Sequence, residues 1–494
     1  MLVAAIEHQR AGRYDPAEGL YRSVIAAEPG NGQALYLYGL LLLRCERAHR
    51  AVAMLRAAAV ARPGHIATLV TLGRGLLADY GTAEALRVAD QVIALDPENA
   101  EAAFIRGTAL SSLGEPEAAV AALRASLARN PGNAAAWLNL GNAYADIDRL
   151  LDAERHCREA IRLAPDLAEA HTSLGFVLTS LGRPEEAMDA CRTAIALRAD
   201  FALAHWNLAT AALLTGDFTL GFEQYEWRKR HDRFRHDFVD PPSPQWDGSD
   251  PAGRTVLVHA EQGFGDTIQC ARYLPLIGGH TILACDRPLL PLLAQLSEVV
   301  PKDAPLPRFD CWLDQMSLPR VFGTRLDTIP AANGYLSADP AQTAAWRRRL
   351  PDGLKVGLAW AGNPAHTNDR RRSLPATALD RILAAPGCNF VSLQVGRRAH
   401  EAGLLETRLT DFAETAALIE ALDLVVTVDT AVAHLAGALG KPTWVMLPFA
   451  PDWRWLLGRD DSPWYASVRL FRQPTPGDWA AVAQAVVGAL ARFG

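Results

Sequence analysis

The pattern of apolar and polar positions divides the chain into two parts. Up to about residue 228 the spacing is helical, and small or apolar residues return at fixed intervals of 34. After Arg254 this period is gone, and short β-rich apolar runs alternate with helical stretches. Such alternation predicts an α/β domain with parallel strands. The chain is therefore predicted to be an all-α repeat array followed by α/β lobes.

Three sets of positions define the repeat. They are Gly39, Gly73, Gly107, Gly141, Gly175 and Ala209; Ala17, Ala51, Ala85, Ala119, Ala153 and Ala187; and Pro29, Pro63, Pro97, Pro131 and Pro165. Small residues let the two helices of a unit approach closely, and proline ends the second helix because it lacks a donor and clashes with the preceding turn. Residues 1–228 resemble tetratricopeptide-repeat proteins, which implies a curved solenoid whose concave face binds a protein or peptide.

Composition excludes several classes of protein. Lys plus Arg is 49 and Asp plus Glu is 55, so the net charge of −6 gives no support for a nucleic-acid partner. The start MLVAAIEHQR has no basic n-region and is not expected to be a signal peptide. The longest apolar run, Ala34–Leu43, is too short to span a bilayer. Cys157 and Cys191 share one repeat position and are predicted to be core residues, not metal ligands or disulfide partners. A cytoplasmic location without a membrane span is expected.

Residues 229–253 are predicted to be a linker. The basic run RKRHDRFR begins at Arg228 and is expected to be solvated, and PPSPQWDGSDPAG is rich in turn residues. Beyond the linker we predict two Rossmann-like lobes, residues 254–349 and 350–494. The first lobe is the shorter of the two.

The first candidate site segment is Thr255–Gln269. Its run TVLVHA predicts a strand, EQGFGD a glycine-containing turn, and the following residues a helix. This order places backbone N–H groups and a helix N-terminus at one spot. Asp266 is predicted at or near the N-cap, a position where aspartate contributes about 1 kcal/mol. Taken alone, that cap explains Asp266 better than catalysis does.

The second candidate is the polar loop AGNPAHTNDRRRS, which follows the predicted strand VGLAW. A loop after a parallel strand lies at the sheet edge where α/β proteins bind ligands. Arginines there can clamp phosphate oxygens. A solvated loop accounts for Arg370 and Arg371, whereas Asn363 and Arg372 frame the loop and stay candidates for ligand binding.

The third candidate is Leu424–Leu447, which predicts strand, turn, helix and strand. Asp429 and Thr430 form the turn and are expected to cap the helix. His434 lies four residues after Thr430, on the same side of the helix. Helix N–H groups, a hydroxyl and an imidazole can converge on one anion. A lone histidine here is more often a packed residue, but Asp429 and Thr430 beside it favour ligand binding.

Together these segments resemble the heptosyltransferase-like glycosyltransferases (family 9, GT-B fold) over residues 254–494. The sharpest motif is Asp429-Thr430-Ala431 with His434. Characterised members of that family transfer heptose from ADP-heptose to lipopolysaccharide. The fusion to repeats is similar to bacterial tetratricopeptide-repeat glycosyltransferases, of which the Trp-rich segment at 442–465 is typical. In layout it is also similar to the O-linked N-acetylglucosamine transferases. The resemblance implies an inverting enzyme with a nucleotide-sugar substrate and no cofactor or obligatory metal.

The resemblance also implies roles for individual residues. Asp266, preceded by Gly265, matches the family's general base. Arg372 falls where heptosyltransferases carry a donor-phosphate lysine, and with Asn363 it is assigned to donor binding. The donor-diphosphate turn is matched by Asp429, Thr430, Ala431 and His434, with Ala431 in place of a glycine. Arg372 and the helix N-terminus would stabilise the departing diphosphate.

One position on the first helix of each repeat is a candidate for peptide binding. It is filled by Leu37, Thr71, Ile105, Asn139, Ser173 and Asn207. In sugar-transferring repeat proteins asparagines here hold peptide backbone, because the amide offers a donor and an acceptor. Asn139, Ser173 and Asn207 are therefore assigned to peptide binding. An ordinary polar helix face explains them equally well, and both interpretations stay open.

Three hypotheses of function follow. The first is a bacterial cytoplasmic glycosyltransferase whose protein acceptor is held by the repeats. The second is a glycosyltransferase with a lipid or saccharide acceptor. The third is a non-catalytic adaptor that retains a nucleotide-sugar-binding fold. Ala431 and the short first lobe support this hypothesis. The sequence names neither the donor nucleotide nor the sugar. Because repeat arrays often self-associate, a homo-oligomer stays open.

Overall fold

The computed structural model describes residues 1–231, 238, 241–251, 253–365, 368–395, 404, 407 and 409–493. Parts of the predicted linker, 232–237, 239–240 and 252, lie outside the described residues. The chain forms two compact units. The first contains residues 1–178 and 193–199, and the second contains residues 179–192 and 200–494.

The described N-terminal range 1–231 is helical throughout, as the 34-residue period predicts. Its helices are α1 Leu2–Arg10, α2 Tyr14–Ala27, α3 Gly32–Arg44, α4 Ala48–Ala61, α5 Ile66–Ala78, α6 Thr82–Leu95, α7 Ala100–Ser112, α8 Pro116–Arg129, α9 Ala134–Asp146, α10 Leu150–Leu163, α11 Ala168–Ser180, α12 Pro184–Leu197, α13 Ala202–Thr215 and α14 Phe218–Tyr225. Helix–turn–helix pairs are formed by α1 with α2, α3 with α4, α5 with α6, α7 with α8, α9 with α10 and α13 with α14. The predicted repeat solenoid is confirmed.

Three of the recurring glycines, Gly39, Gly107 and Gly141, lie where paired helices approach closely. A Cβ on Gly39 would lie 2.6 Å from Cγ of Leu55, and one on Gly107 would lie 2.5 Å from Cγ of Leu123. At Gly141 the corresponding neighbour is Sγ of Cys157, at 2.9 Å. Cys157 is buried in the core, as predicted. Real Cβ atoms do not tolerate such distances, because interiors are close-packed.

The helix boundaries repeat with the same period. The prolines follow two residues after helices α2, α4, α6, α8 and α10, which confirms their role as terminators. Helices α3, α5, α7 and α9 each start at a side-chain cap that the sequence analysis missed. Side chains of Asn31, Asn99 and Asn133 accept hydrogen bonds from the N–H three residues on, at 3.0–3.1 Å, and His65 takes the same position. Each such cap contributes about 1 kcal/mol.

The basic run after α14 is not a solvated linker where it begins. Glu226–Arg230 forms a 3₁₀ helix, and the side chain of Arg228 is fully buried against Glu261. Lys229 is half-buried and lies 3.0 Å from a carboxylate oxygen of Asp314. Arg230 is exposed, as predicted. The expectation was wrong at Arg228 and Lys229 because a run of charges does not reveal its distant carboxylate partners.

The first sheet is four-stranded and parallel, with order β3-β2-β1-β4. Its strands are β1 Thr255–His259, β2 His280–Cys285, β3 Glu298–Pro301 and β4 Cys311–Asp314. The helices around it are α15 Phe264–Cys270, α16 Leu274–Ile277, α17 Leu290–Leu293 and α18 Leu318–Val321. The strand order reverses between β1 and β4, so the loops after these strands diverge and leave a crevice.

The second sheet is five-stranded and parallel, with order β6-β5-β7-β8-β9. Its strands are β5 Leu354–Ala359, β6 Cys388–Ser392, β7 Leu424–Val428, β8 Thr443–Leu447 and β9 Val468–Arg472. The accompanying helices are α19 Pro340–Arg349, α20 Asp369–Arg372, α21 Ala376–Leu383, α22 Phe412–Ala421, α23 Ala431–Ala438 and α24 Trp479–Leu490. Here the order reverses between β5 and β7. Two parallel α/β lobes follow the repeats, which confirms a GT-B-like architecture.

The glycine contacts predict opposite effects for two Gly→Ala substitutions. Gly107→Ala should lower the free energy of unfolding by about 1–3 kcal/mol, because the new methyl group overlaps Leu123. Gly19→Ala, in α2, should raise it by about 0.5–1 kcal/mol, because Gly19 has no neighbour within 4 Å and alanine favours the helix. Urea unfolding of both variants measures the difference. Equal stabilisation by both would contradict the close approach at Gly107.

Candidate functional site

The turn after β1 leads directly into α15 and positions Asp266. Gly263 is the N-cap of this helix, and Asp266 is its third residue rather than the cap. The backbone N–H of Gly263 donates to Oδ2 of Asp266 over 2.8 Å. Gln262, just before the cap, has φ +65°. The carboxylate is therefore fixed by a tight turn at the carboxyl end of β1.

Arg454 holds the other oxygen of that carboxylate. It lies in the 3₁₀ helix Trp453–Trp455 of the segment after β8, and its Nη2 donates to Oδ1 of Asp266 over 2.5 Å. Its Nη1 donates to Asp452 over 2.9 Å, and its Nε donates to the amide oxygen of Gln269. Arg454 thus connects the second sheet to α15 of the first.

The environment of Asp266 shifts its ionisation. Burial raises the pKa of the Asp266 carboxyl above its ordinary value, and the positive charge of Arg454 opposes the rise. The hydrogen bond from the Gly263 N–H also lowers the pKa of Asp266. A carboxylate has about four lone-pair positions, so these two bonds leave it able to accept a further proton or hydrogen bond.

Helix α23 of the second lobe packs directly on α15. A Cβ on Gly265 would lie 2.7 Å from Cδ2 of His434 and 3.5 Å from Cα of Ala431. Glycine is therefore required at 265 for the two helices to meet. Three of the predicted site residues, Gly265, Ala431 and His434, are brought together here, next to Asp266.

His434 is buried and held by aromatic side chains. Its Nδ1 lies 2.9 Å from the hydroxyl of Tyr465, and its ring stacks on Trp455 with 5.5 Å between centroids. Burial lowers the pKa of His434 well below its ordinary value, and the nearby charge of Arg454 adds to this. The imidazole is therefore neutral. If Tyr465 donates to Nδ1, Nε2 carries the ring proton and is a hydrogen-bond donor.

The turn before α23 differs from the prediction in one respect. Thr430 occupies the N-cap position, but its side chain accepts no hydrogen bond from the helix and instead lies 3.2 Å from the hydroxyl of Thr427. The expected side-chain cap by Thr430 is therefore wrong, because a neighbouring threonine competes for the hydroxyl. The first N–H groups of α23 consequently lack a side-chain cap, which is the arrangement that suits an anionic ligand.

Asp429 lies half-buried in the same turn. Burial and the negative charge of Asp452 raise its pKa from 3.8 to about 6, and Arg372 opposes the shift. Asp429, Arg372, Asp452 and Arg454 are therefore close enough to affect one another electrostatically.

Arg372 lies at the end of the loop after β5. Its Nε is buried without a hydrogen bond and lies 3.6 Å from Oδ1 of Asp369. Gly362 makes room for it, since a Cβ there would lie 2.6 Å from Nη2 of Arg372. Asn363 is exposed and accepts a hydrogen bond from the N–H of Ala365. Arg372 thus approaches the α23 turn across the β5/β7 switch point, where α/β sheets bind ligands.

The predicted peptide-binding residues lie in the repeats. Asn139 is half-buried, and its amide donates to the hydroxyl of Thr108 over 2.9 Å. Ser173 is half-buried and Asn207 is buried. These positions therefore face helix contacts more than open solvent, and their role in peptide binding stays a prediction.

The described residues contain neither a candidate metal cluster nor a candidate membrane span. There, no group of three or more His, Cys, Asp and Glu side chains is arranged to hold a metal ion. Nor does any described helix have the length and apolar character needed to cross a bilayer.

Arg454 and Asp452 are the site residues that sequence reasoning missed. In the sequence, the segment PDWRW stands out only for its tryptophans. A usable signal was present, because the segment follows a buried parallel strand in the second lobe. Charged residues at such a position lie at the ligand-binding edge.

The pKa of Asp429 predicts a pH-dependent effect of Asp429→Asn. Because the folded-state pKa of about 6 lies above that of the unfolded chain, the stabilising proton is lost as pH rises through 6. At about pH 7.5 the free energy of unfolding of Asp429→Asn should therefore exceed that of wild type by about 2 kcal/mol. Near pH 4, where the folded-state carboxyl is protonated, the variant and wild type should have nearly the same free energy of unfolding.

Urea unfolding at both pH values checks this, with the exposed Asp460→Asn as control for the change of charge. Equal stability of Asp429→Asn and wild type at about pH 7.5 would contradict a raised pKa.

Models of two known families match parts of the chain. Tetratricopeptide-repeat models match residues 2–66 and 106–168, and another matches residues 168–201. The model of glycosyltransferase family 9 (heptosyltransferase) matches residues 402–446, which include β7, the Asp429 turn and α23. Protein FlbA of Caulobacter vibrioides is 30% identical over 330 residues. The match covers 58% of this chain and 54% of FlbA, so the chain spans about half of that relative.

Solved structures similar to this chain include repeat proteins. A tetratricopeptide repeat protein from Parabacteroides merdae has a TM-score of 0.40 at 16% identity, covering 47% of this chain and 91% of that one. The APC/C hetero-tetramer Cut9–Hcn1 has a TM-score of 0.39 at 18% identity, covering 42% of each chain. The chain joins tetratricopeptide repeats to a GT-B-like α/β domain, part of which matches the model of glycosyltransferase family 9.

Proposed function

We propose that this protein is a glycosyltransferase that moves a sugar from a nucleotide-sugar donor to a protein acceptor held by its repeats. The observation that carries the proposal is the meeting of α15 and α23. Gly265 packs on His434, and Asp266 and Arg454 form an ion pair beside that contact. The sheet edges of the two lobes then carry four groups suited to this reaction. They are the Asp266 carboxylate, the Arg454 guanidinium, the neutral His434 imidazole and the uncapped N-terminus of α23.

The donor diphosphate binds at the second lobe in this proposal. The N–H groups at the start of α23 and the guanidinium of Arg372 donate hydrogen bonds to the diphosphate oxygens. Nε2 of the neutral His434 imidazole donates a further hydrogen bond. Arg372 supports this role because its Nε is buried without a hydrogen bond. Such a donor loses free energy unless a ligand bonds it. Asn363 and Asp429 border the same site.

Asp266 is the general base. It removes the proton of the acceptor hydroxyl while that oxygen bonds to the anomeric carbon. The bond from the anomeric carbon to the diphosphate oxygen breaks, and its electron pair leaves with the nucleoside diphosphate. Attack from the face opposite the leaving group inverts the anomeric centre. Arg454 orients the carboxylate and limits the rise of its pKa. A base of this kind contributes about 10²–10⁴-fold.

The donor-binding half of the proposal predicts a selective thermal shift. Among UDP-, ADP-, GDP- and CMP-sugars, one class should raise the melting temperature, with about 2.7 kcal/mol of stabilisation at a hundredfold excess over its Kd. Arg372→Ala should weaken binding of that donor about 10- to 100-fold, because a charge-assisted bond is lost. Arg370→Ala, an exposed neighbour of equal charge, is the control. Equal shifts in Arg372→Ala and wild type would contradict the role of Arg372.

The transfer half is tested with the donor so identified, carrying a radiolabelled sugar, in a bacterial lysate. We expect label in acid-precipitated protein, and a loss of about 10²-fold or more in Asp266→Asn with donor binding unchanged. Label in the organic extract instead would favour a lipid acceptor. Donor binding without any transfer would favour the adaptor hypothesis.

A further inference from the structure

The last repeat helix and the 3₁₀ turn after it contact both sides of the Asp266–Arg454 pair. Arg228 reaches the turn after β1, where its Nε and Nη2 donate to the two oxygens of Glu261 over 2.9 and 2.6 Å. Both side chains are completely buried. Nη2 of Arg228 also donates to Ser317, in the turn after β4, over 2.9 Å. This ion pair therefore joins the turns after β1 and β4, the two sides of the crevice in the first sheet.

Glu261 begins the turn that holds Asp266. It is followed by Gln262, with its positive φ, and then by Gly263, whose N–H bonds Asp266. Tyr225, at the end of α14, donates its hydroxyl proton to the amide oxygen of Gln262 over 3.2 Å. Residues from the repeat side thus hold two consecutive residues of this turn.

The same helix also packs on the segment that carries Arg454. The ring of Trp453 makes edge contacts with Phe222 and Tyr225, with centroids 5.7 and 6.4 Å apart. The guanidinium of Arg454 lies 4.2 Å above the Trp453 ring. Moving α14 would therefore move Arg454 together with the turn that holds Asp266.

We propose that Tyr225 and Arg228 are positioning residues of the transfer site, which hold the 261–263 turn and the Trp453–Arg454 segment so that Asp266 faces its arginine. The inference rests on the proposed role of Asp266 as the base. It makes the last repeat a structural part of the catalytic centre, besides any role in acceptor binding. Neither residue touches the reacting atoms in this scheme, so their effect passes through Asp266.

The pKa of Asp266 is the readout, since a merely structural role would not change it in a folded variant. Among the described residues, the charged and titratable groups around Asp266 are Arg454 and Asp452 after β8, Glu261 after β1, Tyr225 on α14, Cys270 on α15 and His434 on α23. Arg454 and the Gly263 N–H both lower this pKa. Loosening the turn weakens these two contacts, so the pKa should rise.

Tyr225→Phe is the mild variant, because it removes only the hydroxyl and keeps the ring on Trp453. Carbon-13 titration of labelled aspartate carboxyls in the full chain, with the Asp266 signal assigned by its loss in Asp266→Asn, should show its pKa raised by about half a unit or more. Arg228→Lys keeps the charge but loses the two-pronged contact with Glu261, and should act in the same direction. The exposed Arg230→Gln, in the same turn, is the matched control and should leave the pKa unchanged.

A wild-type pKa of Asp266 in both folded variants would overturn this inference. The titration does not require activity, so it also separates the two proposals. A raised pKa in a protein that transfers no sugar would refute the proposed function and support positioning. Where transfer is measurable, Tyr225→Phe should lower kcat and leave the donor Kd unchanged, and a change confined to the donor Kd would also overturn the inference.

Discussion

The geometry of the candidate site depends on one buried guanidinium, that of Arg454. Burying this group is costly, so it is stable only where its donors are bonded and its charge is balanced. Asp452 satisfies it within its own segment, whereas Asp266 and Gln269 come from the other lobe. The ion pair is therefore complete only when α15 and the segment after β8 are in contact.

A second arginine makes the reciprocal connection. Arg272, from the first lobe, donates to the backbone oxygen of Trp464 over 2.9 Å and lies 4.7 Å above the ring of Tyr465. Tyr465 in turn bonds His434. Arg454 of the second lobe thus binds polar side chains of the first lobe. Arg272 of the first lobe binds a backbone carbonyl and an aromatic ring of the second. Because His434 is neutral in this environment, the positive charge near the α23 turn comes from Arg372 and Arg454.

The sequence predicted those features of the fold that arise from local or periodic patterns. The 34-residue period determined the repeat helices, their terminating prolines and their close-packed glycines, because each is decided within one or two units. The two parallel sheets followed from alternating strand and helix patterns. Family resemblance and the rule that ligands bind at strand carboxyl ends assigned Gly265 and His434 to the same donor site, but neither predicted their direct contact.

Contacts between distant residues could not be predicted in this way. Arg454 and Asp266 are 188 positions apart, and nothing local to either one indicates the other. Arg228 lies in a basic run that looks solvated, because its partner Glu261 is 33 residues further on. Thr430 has the residue type and position of a cap, but a neighbouring hydroxyl changes its bonding. For the two arginines a distant partner overrode the local preference, and for Thr430 a neighbour three residues away did so.

The burial of Arg228 has a consequence for how such proteins can diversify. Repeat arrays grow and shrink by whole units, since each unit contacts only its neighbours. Units near the N-terminus can be duplicated or lost without touching the residues packed on Trp453. The final unit has no such freedom, because α14 and the turn after it supply partners for Glu261, Gln262 and Trp453. Variation in array length should therefore accumulate at one end, while the last repeat changes only in step with the α/β lobes it contacts.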